Sequence, residues 1–138
     1  MQTEKEVTEP TAEELWLDKI NAEAEQKAEE LSRLLNAEVE PFVFIVESLK
    51  DAAIGYLKKP DAKQSFKIIR AMGTDYETGL ELTAKAQLIR DYNGTIASDS
   101  RFMDVDGKYD VKDSELNLSL LMRVGTLIKP FSDKFKKK

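Results

Sequence analysis

The run Asp104-Val-Asp-Gly-Lys-Tyr-Asp-Val-Lys-Asp113 holds the densest set of groups able to do chemistry, four carboxylates around one glycine. Calcium takes several oxygen ligands at fixed loop positions, with a glycine at the sixth for the sharp turn. With Gly107 sixth, Asp104, Asp106, Asp110 and Asp113 fall at positions three, five, nine and twelve. Position one is then Phe102, which has no oxygen to offer. Starting at Asp104 instead puts Tyr109 where the glycine belongs. Aspartates also open turns and cap helices by accepting backbone amides, and those uses need no metal.

Other chemistry is thinly supplied. The chain has neither cysteine nor histidine. Disulfides, thiolate zinc sites and cysteine nucleophiles are therefore excluded, along with the commonest general base and metal ligand. The carboxylate pairs Glu13/Glu14 and Glu29/Glu30 fall on the solvated face of a predicted helix. Gly73 and Gly79 are not followed by the Gly-Lys-Ser/Thr of a phosphate loop. No catalytic, cofactor-binding or metal residue is assigned, and the expectation is a protein that is not an enzyme.

The 138 residues suit a single domain with a real core. Charge is uneven: residues 1–40 hold 12 acids and 4 bases, a net of −8, so the remainder of a chain of net charge −5 carries +3. Lys134-Phe-Lys-Lys-Lys138 forms a basic end that could attract the acidic start, within a chain or between copies. Nucleic-acid binding would want a basic face with interleaved aromatics, so no nucleic-acid partner is expected. No apolar run approaches the ~18 residues of a membrane span, and the polar opening is unlike a signal peptide. The expectation is a cytoplasmic protein with no membrane partner.

These groups must be positioned by a mostly helical α+β fold. Residues 1–10 have no periodicity and form a disordered arm, leaving 11–138 as the domain. Thr11-Ala-Glu-Glu14 is a capping box opening a long helix over 11–36. Its apolar positions step by three and four, and Trp16, Ile20, Leu31, Leu34 and Leu35 are the candidate interface if it meets a partner or a second copy. Packing on its own chain is the favoured reading for this helix, and a partner helix the alternative.

Residues 42–57 follow as a β-hairpin. Phe42-Val-Phe-Ile-Val46 is aromatic or β-branched throughout, Ser48–Asp51 is the loop, and Pro41 interrupts beforehand. A helical stripe through the same residues is the rival. The helical body, 61–129, opens on the capping box Asp61-Ala-Lys-Gln64, with Phe66, Ile69 and Met72 inward and Gly73 ending the helix in the left-handed conformation. A second helix runs to about Tyr92, burying Leu82, Ala86 and Ile89, and Asn93-Gly94 closes it. Residues 95–112 show no period. A third helix starts at Asp113, with Leu116, Leu120, Leu121, Val124, Leu127 and Ile128 inward. Pro130 kinks or ends it before a basic tail over 130–138.

The order Ile54-Gly-Tyr-Leu-Lys-Lys-Pro-Asp61, two short amphipathic helices, Leu88-Ile-Arg-Asp91 and Ser98-Asp-Ser-Arg-Phe102 resembles small tailed-phage proteins of the tail assembly chaperone kind, over roughly residues 42–128. The resemblance implies a non-enzymatic protein in the cytoplasm of a bacterial host. It would hold an aggregation-prone virion component, or its own copies as a homo-oligomer, during assembly. No functional residue transfers individually. A virion structural component, such as a connector or capsid accessory, is the alternative. A further one is a calcium-binding interaction module, because residues 102–113 resemble a dockerin-type loop running into a Leu-rich helix.

Overall fold

The structure, a computed structural model, describes residues 9–93 and 95–136, with side chains at all of these except 95 and 128–136. Most of the arm expected over 1–10, Gly94, the Ile128 side chain and the side chains of the basic tail lie outside the described residues. The elements are α1 (Ala12–Leu35), β1 (Val39–Glu47), β2 (Asp51–Lys58), α2 (Ala62–Thr74), α3 (Tyr76–Gln87), the two-residue strands β3 (Asp91–Tyr92) and β4 (Thr95–Ile96), a 3-10 turn (Ser100–Phe102) and α4 (Ser114–Lys136). This is the mostly helical α+β architecture that the sequence predicts.

Both predicted capping boxes form. The Glu14 amide donates to Thr11 Oγ1 at 3.1 Å while the Thr11 amide donates to Glu14 Oε1 at 2.8 Å, and Asp61 and Gln64 exchange the same bonds. Two of the four orphan amides at each helix start are thereby satisfied.

Residues 39–58 are a hairpin, and both of its faces are buried. Antiparallel register pairs Val43 with Ile54 and Pro41 with Tyr56 on one face, and Phe42 with Gly55 and Phe44 with Ala53 on the other. The first face joins Ala28, Leu31, Val39 and Tyr56 in one cluster beneath α1. The second joins Phe42, Ala53 and Leu57 to Leu80, Ala84, Leu88, Phe102, Leu116, Leu120 and Val124 of the helical body. The hairpin is thus the middle of three layers. Two apolar faces erase the alternation of a half-buried strand, which is why the same residues also fit a helical stripe.

Pro41 does not interrupt the strand but lies inside β1. Its partner Tyr56 sends its amide to Ser98 Oγ and receives the Ile89 amide on its carbonyl, both away from β1. The pair is therefore not hydrogen-bonded, and a missing proline amide there takes nothing from the ladder.

The turn holds three residues, Ser48–Lys50, one fewer than the sequence predicts, with a register shift between Ile45 and Glu47. It closes by a 3.0 Å bond from the Lys50 amide to the Glu47 carbonyl. Leu49 sits at its left-handed position, with φ 66, and half its surface is exposed. That conformation costs a side-chain-bearing residue about 1–2 kcal/mol, partly offset in any glycine variant by about 0.5–1 kcal/mol of unfolded-state entropy. Leu49→Gly is expected to raise the melting temperature by roughly 1–4 °C in calorimetry. A fall would show that the leucine side chain contributes packing.

In the body, α2 buries Ser65 and Ile68 rather than Phe66, which is half exposed, while Ile69 and Met72 are only partly buried. Helix α3 buries Gly79, Leu80, Thr83, Ala84 and Gln87, and turns Leu82 and Ala86 to solvent. The contact faces centre on small residues because a one-residue connection forces the two helices together, and close approach outweighs bulk. Gly73 is helical, not left-handed; extended Asp75, at φ −153°, makes the break instead. Helix α3 ends at Gln87, short of Tyr92, because Leu88 bridges Leu57 and the Ile89 amide donates to the Tyr56 carbonyl at 2.8 Å.

Residues 97–103 are equally tied to β2. Buried Ser98 accepts the Tyr56 amide at 3.0 Å and donates to the Ile89 carbonyl at 2.6 Å, and the Asp99 amide reaches the Ile54 carbonyl at 2.9 Å. In α4, Leu116, Leu120, Leu121, Val124 and Leu127 are all buried as predicted. Its backbone continues through Pro130 to Lys136, so the proline does not end the helix. A proline removes the bond to the carbonyl four residues back and its ring crowds that carbonyl, but the ladder can resume beyond it.

Candidate functional site

The two edges of the hairpin differ. The outer edge of β2 is covered by residues 88–89 and 97–99, through the bonds just described. The pairing that turns Tyr56 and Ile54 outward on β2 also turns their partners, Pro41 and Val43, outward on β1, and every second residue with them. On β1 the outward set is Val39, Pro41, Val43 and Ile45.

The first two are sealed. The Val39 amide donates to Ser32 Oγ of α1 at 3.0 Å; Pro41 has no amide, and its carbonyl accepts from Arg123 Nη2 of α4 at 2.9 Å. Arg123 also lies 3.4 Å from Glu40. Among the described residues, no group takes the outward amide or carbonyl of Val43 or Ile45. The open edge is therefore a short window that ends at the Val46 bulge.

This window lies at the end of the molecule where the hairpin tip meets the start of α1, tied by a bond from Ser48 Oγ to Glu13 Oε2. Large apolar side chains are exposed there: Ile45, Val46 and Leu49. Of the interface candidates read from the sequence, Trp16 and Ile20 are half-buried on the sheet-facing stripe of α1 toward this end. Leu31 is a correction: it is buried against Val39 and Tyr56 and closed to any partner, because α1 packs on its own hairpin. Leu35 packs against that same cluster, while Leu34 is exposed beside a shallow cleft with Lys27, Glu30, Tyr92 and Asn93. Sequence reasoning missed Ile45, Val46 and Leu49 as contact residues: the helical stripe assigns all three to a core, while the hairpin reading places Leu49 in the loop. Only the bulge and the left-handed turn put them in solvent.

The aspartates of the 104–113 loop are used locally and do not converge. Asp104 Oδ1 accepts the Asp106 and Lys108 amides at 2.9 and 3.0 Å, and the Lys108 amide, with that of Asp106, holds its carboxyl below the ordinary range. Gly107 takes the left-handed position of this turn at φ 78. Asp110 pairs with Lys112 at 2.8 Å, and this hydrogen-bonded contact raises the lysine. Asp113 caps α4 by accepting the Leu116 amide at 3.0 Å. No group of three acids among the described residues is placed to hold a cation.

At the base of the loop, burial pushes the Tyr109 phenol up to about 12, and its hydroxyl lies 3.3 Å from Asn117 Oδ1. Arg101 reaches back to the hairpin, with Nη2 2.6 and 2.8 Å from the two Asp51 oxygens, a hydrogen-bonded pair that raises the guanidinium.

Two buried polar groups stand apart from this pattern, Ser65 Oγ of α2 and the side-chain amide of Gln87. Gln87 is 1% exposed in α3, and neither atom of its amide finds a hydrogen-bond partner among the described residues. Burying an amide without partners costs roughly 1–3 kcal/mol. Gln87→Met, nearly the same shape, is expected to stabilise the fold by about 1–2 kcal/mol in urea denaturation. Destabilisation would show that the amide is satisfied in solution.

The chain matches no protein-family model, and no curated protein or solved structure is significantly similar to it. Among the described residues no helix is long and apolar enough to cross a membrane.

Proposed function

We propose that this protein is a non-enzymatic interaction protein of the tail assembly chaperone kind, which holds an aggregation-prone virion component during assembly in a bacterial cytoplasm. The observation that carries this reading is the hairpin-tip end, where Ile45, Val46 and Leu49 are exposed beside an open strand edge. Apolar side chains gathered at one end mark contact surfaces, and an unsealed edge adds directional hydrogen bonds to them. The sequence resemblance over residues 42–128 points to the same use.

The test is co-expression with the tail proteins encoded nearby, followed by separation of soluble from pelleted material. A chaperone shifts one of them into a soluble complex and is missing from purified particles. Retention in the particles would favour the virion structural component instead. A gene placed far from tail genes, with no neighbour solubilised, would overturn the phage reading altogether.

A further inference from the structure

We propose that the open edge of β1 at Val43–Val46 receives an extended, lysine- or arginine-bearing segment of the client as an added strand. This rests on the reading of the protein as a client-binding chaperone and gives that binding its chemistry.

The backbone specifies an extended chain. Val43 and Ile45 are two residues apart on one strand, so their outward amides and carbonyls repeat at roughly 7 Å, the spacing that only another strand matches. The fold also delimits the window. Ser32 Oγ on the Val39 amide and Arg123 on the Pro41 carbonyl seal the edge on one side, and the shift after Ile45 ends it on the other. Protein edges that are merely to be kept from pairing are blunted along their length. Here the blunting stops where Ile45 and Val46 become exposed.

Charge specifies the occupant further. Ser32 reaches the β1 edge, so its stripe on α1 faces that edge. Stepping back by sevens and then four, the same stripe carries Glu25, Asp18 and Glu14, all exposed. Leu17 and Asn21 lie among them beside Pro10. Glu47, at the end of the window on β1, is already paired with Lys50 at 3.3 Å, so the acidic character of the flank comes from α1. A strand docked at Val43–Val46 would run along this acidic flank, which favours a basic segment and disfavours a second copy, whose own α1 would bring the same acids opposite.

The test uses the full chain and two fluorescent ten-residue peptides, one alternating valine or threonine with lysine, the other with glutamate in place of lysine. Anisotropy is expected to show binding of the basic peptide at least tenfold tighter than the acidic one, weakening as salt rises. Ile45→Pro removes one outward amide without touching the ladder, as Pro41 already does in the same phase. It is expected to weaken the basic peptide at least tenfold. Should Ile45→Pro disturb folding, Asp18→Lys with Glu25→Lys, both on the exposed helix face, is expected to abolish the preference for the basic peptide.

Equal binding of both peptides, or undiminished binding to Ile45→Pro, would overturn the proposal. So would a dimer by light scattering that Ile45→Pro dissolves, because the occupant would then be a second copy. If the co-expressed client is held in solution but the basic peptide does not bind, strand addition fails and the chaperone reading stands. If the peptide binds at this edge but no client is held, the site stands and the chaperone reading fails.

Discussion

Phe102→Ala is expected to remove about 3–5 kcal/mol of stability, a large share of the roughly 5–15 kcal/mol available to a domain of ordinary stability. The ring is fully buried and packs edge-on against Phe42, with centroids 6.1 Å apart at 65°. It fills the space over Gly55, where an added Cβ would lie 3.1 Å from the ring. The backbone of Phe102 is equally committed: its amide donates to the Asp99 carbonyl at 3.1 Å, and its carbonyl accepts the Asp110 amide at 2.9 Å.

Truncation therefore opens a cavity between the hairpin and the helical body and loosens the base of the 104–110 loop. Phe102→Leu, which keeps most of the volume, is expected to cost about 1–2 kcal/mol. Urea denaturation of the three proteins measures both. A loss under about 1 kcal/mol for the alanine variant would mean that Phe102 is not the keystone of the larger core.

Gly79→Ala is expected to destabilise by about 2 kcal/mol or more, even though alanine is the better helix former by roughly 1 kcal/mol. A Cβ at residue 79 would lie 2.8 Å from the Met72 amide nitrogen and 2.9 Å from its Cα, and closer still to the Met72 side chain. The side chain could swing aside, but the backbone of α2 cannot yield without moving the helix. Gly73→Ala is the matched control, one residue after Met72 in α2 but facing nothing within 4 Å. It is expected to stabilise by about 0.5–1 kcal/mol through helix propensity alone. The same substitution in adjacent helices should thus shift the thermal midpoint in opposite directions. Two shifts of the same sign would refute the close α2–α3 contact.

These two sites show where one-dimensional reasoning stops. In α2 and α3 the bulky residues Phe66 and Leu82 are the natural choice for an inward face, yet both are about half exposed. Helical periodicity identifies a face only when one face is clearly more apolar, and here several are comparable. Glycine, serine and alanine decide the contact, because they let backbones approach. Residues 95–112 lack periodicity for a related reason. Their order comes from single anchors, Ser98 and Phe102, bonded or packed to partners more than 40 residues earlier in the chain.

What the sequence determined by itself was the set of local signals: both capping boxes, the β-favouring run over 42–46, and the inward leucines of α4. Each depends on residues within a few positions of one another, so its physics is complete in one short segment. The loop aspartates belong to the same class, since turn and cap bonds to neighbouring amides account for Asp104 and Asp113. Only the tertiary structure decided that α1 covers one face of the hairpin and the body the other. It also decided that β2's edge is closed while β1's stays open at Val43 and Ile45. Edge exposure is set by which distant segments arrive alongside a strand, and hydrogen bonds from Ser32, Ser98 and Arg123 made that choice.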